Sequence, residues 1–381
     1  MAEPPPLPVP LTVGVPREVK PGEHRVALTP DGVAELAAHG VSVVVETGAG
    51  EDSAISDDEY LGAGAEVATN AAVWERAEIV CKVKEPQRQE LGLLRPDQVL
   101  FTYLHLAAYP HLGRELLERR VIGVGYETVQ LASGSLPLLA PMSEVAGRMA
   151  PQIGAHWLER HNGGRGVLLG GAPGVRPARV VVLGAGNVGW NAAWIAQGME
   201  AEVQLLDRNL DRLRWVDQIH KGRILTLASN RGTIERAVAD ADLLVGAVLV
   251  PGGRAPTLVT ADMVAGMRRG SVIVDVAVDQ GGCVETCRET THADPVYEVS
   301  GVLHYGVGNV PGAVPHTSTY ALANATLPYL LELALAGPRR AAQADPALAR
   351  GFNTVGGRVV NEAVAGALDL PVVPLTEAWE S

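Results

Sequence analysis

Four short stretches of the sequence set charged or hydrogen-bonding side chains among apolar neighbours. Between Pro16–Arg17–Glu18 and His24–Arg25–Val26–Ala27 a loop offers cations, and Arg25 has the planar fork that grips a carboxylate through two parallel hydrogen bonds. A lone loop arginine is more often simply solvated, so its neighbours have to decide the matter. Cys81–Lys82–Val83–Lys84–Glu85–Pro86 reads as a strand that ends in lysines before a proline-broken loop. Alternation puts Lys82 and Lys84 on one face. Lys84, nearer the strand end, is the better ligand for an anionic substrate, and either lysine could be a plain surface cation. Phe101–Thr102–Tyr103–Leu104–His105–Leu106 brings one histidine to a strand end, where an imidazole with a pKa near 6.5 suits acid–base work. In Val274–Asp275–Val276–Ala277–Val278–Asp279–Gln280–Gly281–Gly282, Asp275 lies inside a strand and reads as structural. Asp279 lies past the strand end, before two glycines that allow close approach to a ligand, and is free to face a cleft.

A second kind of chemistry is written in Arg179–Val180–Val181–Val182–Leu183–Gly184–Ala185–Gly186–Asn187–Val188–Gly189. A buried-strand run, a Gly-x-Gly-x-x-Gly turn and a helical stretch follow one another without a break. Gly184 allows the tight turn, Gly186 lets the backbone approach a pyrophosphate, and Gly189 permits close packing of helix on strand. The next strand ends in Asp207, near the distance of about 20 residues expected for an acid that receives the adenosine ribose hydroxyls. Its charge would repel a 2′-phosphate and so favours NAD, although Arg208 and Arg212 could neutralise one. Asn309, in the loop Gly306–Gly312, could bond the nicotinamide amide or a ribose, or serve through its backbone alone.

The elements that must position these groups alternate between two periods. Leu11–Val15, Val41–Glu46, Ile79–Val83, Val99–Tyr103 and Val121–Gly125 are strand-like, with amphipathic stretches such as Asp31–His39 and His111–Arg119 between them. Arg179–Leu183, Glu202–Leu206, Leu243–Val248, Ser271–Val276 and Val302–Tyr305 repeat the rhythm. Such alternation predicts parallel α/β sheets in two domains. Between them Ser143–His161 predicts a helix with Ser143 as N-cap and a kink at Pro151. Thr317–Ala336 predicts a long helix stopped by Gly337–Pro338 that could carry the chain back to the first domain.

Composition limits the alternatives. The 381 residues are too many for one ordinary core and about right for two, leaving room for a cleft between domains. Lys and Arg total 31 against 43 Asp and Glu, a net charge of −12 that offers no footprint for nucleic acid. No apolar run reaches the ~18 residues of a membrane span, and the proline-rich start MAEPPPLPVP has none of the marks of a signal peptide; it reads as a disordered leader. Three cysteines, Cys81, Cys283 and Cys287, suit a reducing cytoplasm better than a disulfide framework. Glu127 and the scattered histidines show no metal-ligand spacing, so no metal is expected.

With these residues in view, the chain resembles the alanine dehydrogenase family. The resemblance is carried by VGVPREVKPGEHRVALTP (13–30), KVKEP (82–86), LFTYLHLAA (100–108), YETVQ (126–130) and LPLLAPMSEVAGR (136–148). It continues through GGRGVLLGGAPGV (163–175), the GAGNVG turn, GAVLVPG (246–252), VDVAVDQGG (274–282) and TSTYALANATLPY (317–329). It implies an α/β fold of two Rossmann-like doubly wound domains with a cleft between them, the catalytic domain discontinuous. Residues 1–137 with 316–381 would form the catalytic domain, and 138–315 the NAD-binding one. It implies a cytoplasmic homohexamer that interconverts L-alanine and NAD with pyruvate, ammonium and NADH. Arg25 and Lys84 then fall on the substrate, and His105 and Asp279 become the acid–base groups. Ser143, Asp207, Arg212, Ser229, Val248, Leu249 and Asn309 join the glycine turn, with Asn187 and Val188, around the cofactor. The chain departs from the family pattern at Pro151, at Trp190 after the third glycine, at His316 where lysine is expected, and in the loop GVGNVPG.

The mechanism so implied begins with hydride transfer from the alanine Cα to NAD. Water then attacks the imine carbon with His105 relaying protons and Asp279 handling those of the amine and hydroxyl. Two other readings stand beside it: a dehydrogenase of another small L-amino acid, such as glycine or 2-aminobutyrate, and a non-catalytic NAD-binding module like that of a proton-pumping transhydrogenase. The presence of both Lys84 and Asp279 argues against the module.

Overall fold

The computed structural model describes residues 10–248, 255–278 and 281–380. The chain divides into two compact units, Met1–Pro141 with Val314–Ser381, and Met142–Ala313. In the first unit β1 (Val13–Val15), β2 (Val43–Glu46), β3 (Glu66–Ala68), β4 (Ile79–Cys81), β5 (Val99–Thr102) and β6 (Ile122–Gly125) lie side by side in the order β3-β2-β1-β4-β5-β6, every neighbouring pair parallel. Strands β1, β4, β5 and β6 are buried throughout, as valine- and isoleucine-rich strands covered on both faces must be. The strand order reverses between β1 and β4. Loops leaving the carboxyl ends of strands on the two sides of such a reversal diverge and leave a crevice.

The second unit repeats the plan. Its strands are β7 (Arg179–Leu183), β8 (Glu202–Asp207), β9 (Leu225–Ala228), β10 (Leu243–Gly246), β11 (Val272–Asp275), β12 (Val296–Val299) and β13 (Val302–Tyr305), in the order β12-β13-β11-β10-β7-β8-β9. The reversal here lies between β7 and β10. One core packs Val181, Leu183, Leu244 and Ile273 of this sheet against Ile234, Val238, Val264 and Met267.

Neither sheet is wholly parallel, which corrects the expectation from sequence. β12 runs antiparallel to β13. In the first unit β14 (Phe352–Val355) runs antiparallel to β6 and turns back into β15 (Arg358–Val359). Both antiparallel hairpins close over two residues at positive φ, Ser300–Gly301 at 54° and 80° and Gly356–Gly357 at 59° and 78°, the turn whose twist matches paired strands. Those dipeptides were the available signal.

The long helix Ala140–Leu158 begins ahead of Ser143, so Ser143 lies within it and is not its N-cap; the helix runs on through Pro151. Gly147 gives it close contact with the helix Asn187–Gly198, since an added Cβ would lie 2.3 Å from the Val188 carbonyl oxygen. The returning helix Pro315–Ala336 ends at Gly337, φ 76°, just before Pro338, as expected. His316 Nδ1 donates to the Ser53 carbonyl at 2.9 Å, and Thr319 Oγ1 accepts from the Val26 N–H at 3.1 Å, fastening this helix to the segments after β2 and β1.

Buried charge joins the two loops beside the reversal in the first unit. Lys82 is fully buried, with Nζ 3.2 Å from Glu18 Oε2 and 2.9 Å from Glu90 Oε1. Glu18 Oε1 accepts the Val83 N–H at 2.6 Å. Burial alone would lower the Lys82 pKa, but the two carboxylates overcome it and keep the ammonium charged. Lys82 is therefore a structural cation: β4 ends at Cys81, and the alternation that would pair Lys82 with Lys84 stops there.

Two changes test this packing. Lys82→Ala leaves Glu18 and Glu90 buried without their cation and is expected to lower the unfolding free energy by about 3–5 kcal/mol in urea titration. Gly147→Ala forces backbone apart where no side chain can yield, and a loss of about 2 kcal/mol is expected by the same measurement. An unchanged urea midpoint in either variant would refute the corresponding contact.

Candidate active site

In the first unit the carboxyl ends of β1, β4 and β5 bring Arg25, Lys84 and His105 into one electrostatic neighbourhood. Arg25 is 2% exposed, and its fork already holds a carboxylate: Nε donates to Glu23 Oε1 at 2.6 Å and Nη2 to Oε2 at 2.5 Å. Against the burial that would raise it, Arg25 holds the Glu23 carboxyl at about 2. The pair is thus neutral overall and fixes the guanidinium plane. Glu23 was not anticipated from sequence, although a carboxylate two residues before a buried arginine was a usable signal. Lys20 is likewise matched, its Nζ 2.5 Å from Glu85 Oε1. Lys84 differs: it makes no ion pair with any described residue, and its ammonium stands 6.0 Å above the Tyr103 ring. Burial first, and the Arg25 charge second, lower its pKa. An anion placed here would relieve both penalties at once.

His105 ends the segment after β5 in the left-handed region, φ 47°. Its ring stacks on Tyr103 with centroids 5.6 Å apart and planes 3° from parallel, and the Tyr103 hydroxyl donates to the Leu138 carbonyl at 2.7 Å. Burial lowers the His105 pKa, Glu127 opposes that, and Lys84 adds to it. A neutral imidazole at physiological pH follows, as a general base requires. Asp279, the other expected acid–base group, lies outside the described residues. Asp275, the last residue of β11, accepts backbone N–H groups of Ala277, Cys283 and Val284 at 3.2, 2.9 and 3.2 Å, the structural role read for it from sequence.

In the second unit the three glycines divide their work. A Cβ on Gly184 would meet the Ala247 carbonyl oxygen at 2.6 Å, and one on Gly189 would meet the Gly184 carbonyl oxygen at 1.8 Å, so both positions are closed by backbone. A Cβ on Gly186 would meet nothing within 4 Å. Gly186 is also the N-cap of the helix Asn187–Gly198, and no side chain caps that end. Its first N–H groups, among them those of Asn187 and Val188, face an open surface beside the strand reversal, which suits a pyrophosphate. Asp207 closes the turn from the neighbouring strand, Oδ2 accepting the Ala185 N–H at 2.6 Å and Oδ1 that of Asn209 at 2.7 Å. Ser229 donates its N–H to the Asp207 carbonyl at 2.9 Å, and Val248 Cγ2 lies 3.2 Å from the Gly184 Cβ position. The residues at this edge therefore fit a dinucleotide.

Asn309, φ 58°, follows β13, and its carbonyl lies 3.3 Å from His292 Nε2. Ser143 is half-buried in its helix. Arg212 is exposed, with its guanidinium 5.6 Å above the Trp215 ring. Leu249 lies outside the described residues. Trp190 turns to an aromatic cluster, stacked on Trp194 at 5.3 Å with Nε1 donating to His220 Nε2 at 3.1 Å, so its bulk spares the glycine turn. Among the described residues no group of three or more His, Cys, Asp or Glu is placed to hold a metal ion, and no helix is long and apolar enough to cross a membrane.

Comparison with known proteins covers both units. The family model described as Alanine dehydrogenase/PNT, N-terminal domain, matches residues 14–146, and that of the C-terminal domain matches 150–362. Alanine dehydrogenase of Methanococcus maripaludis is 55% identical over 370 residues, 97% of this chain and 99% of that one. The enzyme of the same name from Mycobacterium tuberculosis is 54% identical over 362 residues, 95% of this chain and 98% of its own. Among solved structures, an L-alanine dehydrogenase matches with a TM-score of 0.92 at 52% identity, covering 94% of this chain and 99% of that one. A transhydrogenase from Sinorhizobium meliloti matches with 0.82 at 27% identity, covering 92% and 100%. With both of its units matched in order and more than half of its residues shared with full-length relatives, the chain belongs to the alanine dehydrogenase/PNT family.

Proposed function

We propose that the chain is an NAD-dependent L-alanine dehydrogenase, converting L-alanine, NAD and water reversibly to pyruvate, ammonium and NADH. One observation carries the reading: Lys84, a half-buried ammonium without a carboxylate partner among the described residues, shares a strand-end neighbourhood with Arg25 and His105 in a chain whose relatives bear that name. A module that binds only a dinucleotide has no use for a desolvated cation there.

Lys84 and Arg25 hold the carboxylate of the amino acid, with Glu23 keeping the guanidinium in plane. NAD, when bound, accepts the hydride from the alanine Cα. His105 takes a proton from the water that attacks the imine carbon and returns one to the departing nitrogen. Asp279 serves the amine and hydroxyl protons. The glycine turn from Gly184 to Gly189 receives the pyrophosphate, Asp207 the adenosine ribose, and its charge opposes a 2′-phosphate. The family resemblance further supports a cytoplasmic homo-oligomer, a hexamer, with the small-molecule substrate as its partner.

The first test follows NADH absorbance with purified protein, pyruvate and ammonium, beside glyoxylate, 2-oxobutyrate and NADPH. Oxidation is expected with pyruvate and NADH. Faster turnover with another oxo acid would reassign the substrate, and no turnover with any of them, despite NADH binding, would move the protein to the binding-module class. His105→Ala is expected to lose about 100-fold or more in kcat while still binding NADH; a fully active variant discards the acid–base assignment.

A further inference from the structure

We propose that Glu127 is a positioning residue for His105: its carboxylate holds the peptide that carries the imidazole. The proposal rests on the acid–base role of His105 given above. His105 occupies a left-handed backbone conformation that residues with a Cβ rarely adopt, so something must hold it there. Glu127 Oε1 accepts the His105 N–H at 2.6 Å, and both its oxygens lie 3.2 Å from the Leu104 nitrogen. From the other side the His105 carbonyl accepts the N–H groups of Ala108 and Tyr109 at 2.8 and 3.0 Å. The peptide is clamped at both ends, and the ring is laid against Tyr103.

Glu127 is itself braced from far along the chain. It sits in the single turn Tyr126–Thr128 at the end of β6. Thr128 Oγ1 lies 3.0 Å from the Gly125 carbonyl oxygen and 3.1 Å from that of Gly351, and it accepts from Asn353 Nδ2 at 3.2 Å. A Cβ on Gly125 would stand 2.5 Å from Asn353 Nδ2 and 3.3 Å from Glu127 Oε1, so a side chain there would have to displace the groups that brace the turn. The returning C-terminal segment thus supports the carboxylate that supports the histidine.

Charge gives the arrangement a signature that packing alone would not. The ionisable groups facing His105 are Glu127 and Glu85, which raise its pKa, and Lys84 and Lys20, which lower it together with burial. Removing the Glu127 charge moves the His105 pKa further down.

The experiment uses the full-length enzyme with Glu127→Gln, Glu127→Asp and Glu127→Ala beside His105→Ala, reading kcat, KM for NADH, thermal unfolding and the pH profile of kcat for alanine oxidation. Glu127→Gln is expected to lose about tenfold or more in kcat with KM for NADH nearly unchanged, and the acid limb of its profile should move to lower pH. Glu127→Asp keeps the charge but shortens the reach, so kcat should fall while the limb stays in place. Added formate should restore part of the activity of Glu127→Ala by refilling the carboxylate site. If Glu127→Ala does not fold, the Gln and Asp variants carry the test. Wild-type kcat and an unmoved limb in Glu127→Gln, with His105→Ala inactive, would overturn the positioning role alone. A fully active His105→Ala would remove the acid–base reading and this inference with it.

Discussion

The arrangement of the first unit turns on one buried carboxylate. Glu18, on the loop after β1, accepts the Val83 N–H and faces Lys82, both on the loop after β4. These are the two strands between which the order of the sheet reverses, so their loops diverge by topology and nothing in the sheet ladder holds them together. The ion pair spans that gap. Its cost is a desolvated charge on each side, which is tolerable only because Glu90 and the backbone N–H complete the coordination. Once Lys82 is committed to this internal network, Lys84 is left as the cation of the same segment that makes no ion pair with a described residue.

A related economy governs the second unit. Gly184 and Gly189 are closed by backbone on the side where a Cβ would go, whereas Gly186 opens on empty space at an uncapped helix end. The turn is rigid where it packs and bare where a phosphate would approach. Asp207 adds a second constraint, since the carboxylate expected to meet a ribose also holds the Ala185 N–H. Shape of the turn and choice of nucleotide are therefore coupled through one side chain.

The C-terminal segment contributes more than coverage. Residues after Val314 return to the first unit, where Thr319 fastens the loop carrying Arg25 and Asn353 braces the turn carrying Glu127. Groups near both ends of the chain thus bear on His105 and Arg25. A discontinuous unit of this kind cannot complete its polar network until the last residues arrive, because the donors that satisfy Thr128 and Val26's partner Thr319 lie on opposite ends of the sequence.

Much was already determined by the order of residue types. Buried valine runs alternating with amphipathic stretches were enough for two parallel-rich sheets, and the glycine spacing after Leu183 was enough for the strand, turn and helix found there, because each is a local pattern with a local physical cause. The antiparallel edges, legible only in the dipeptides Ser300–Gly301 and Gly356–Gly357, were missed because such turns are short against the surrounding periodicity. Tertiary structure alone decided that Lys82 is fully buried in ion pairs while Lys84 is half-buried without one, that the Arg25 fork holds Glu23, that Ser143 lies inside its helix, and that Glu127 reaches the peptide of His105. The Lys82–Glu18 and Glu127–His105 contacts depend on which groups meet across separate loops. Burial sets the energy of a charge, and no spacing along a chain records it.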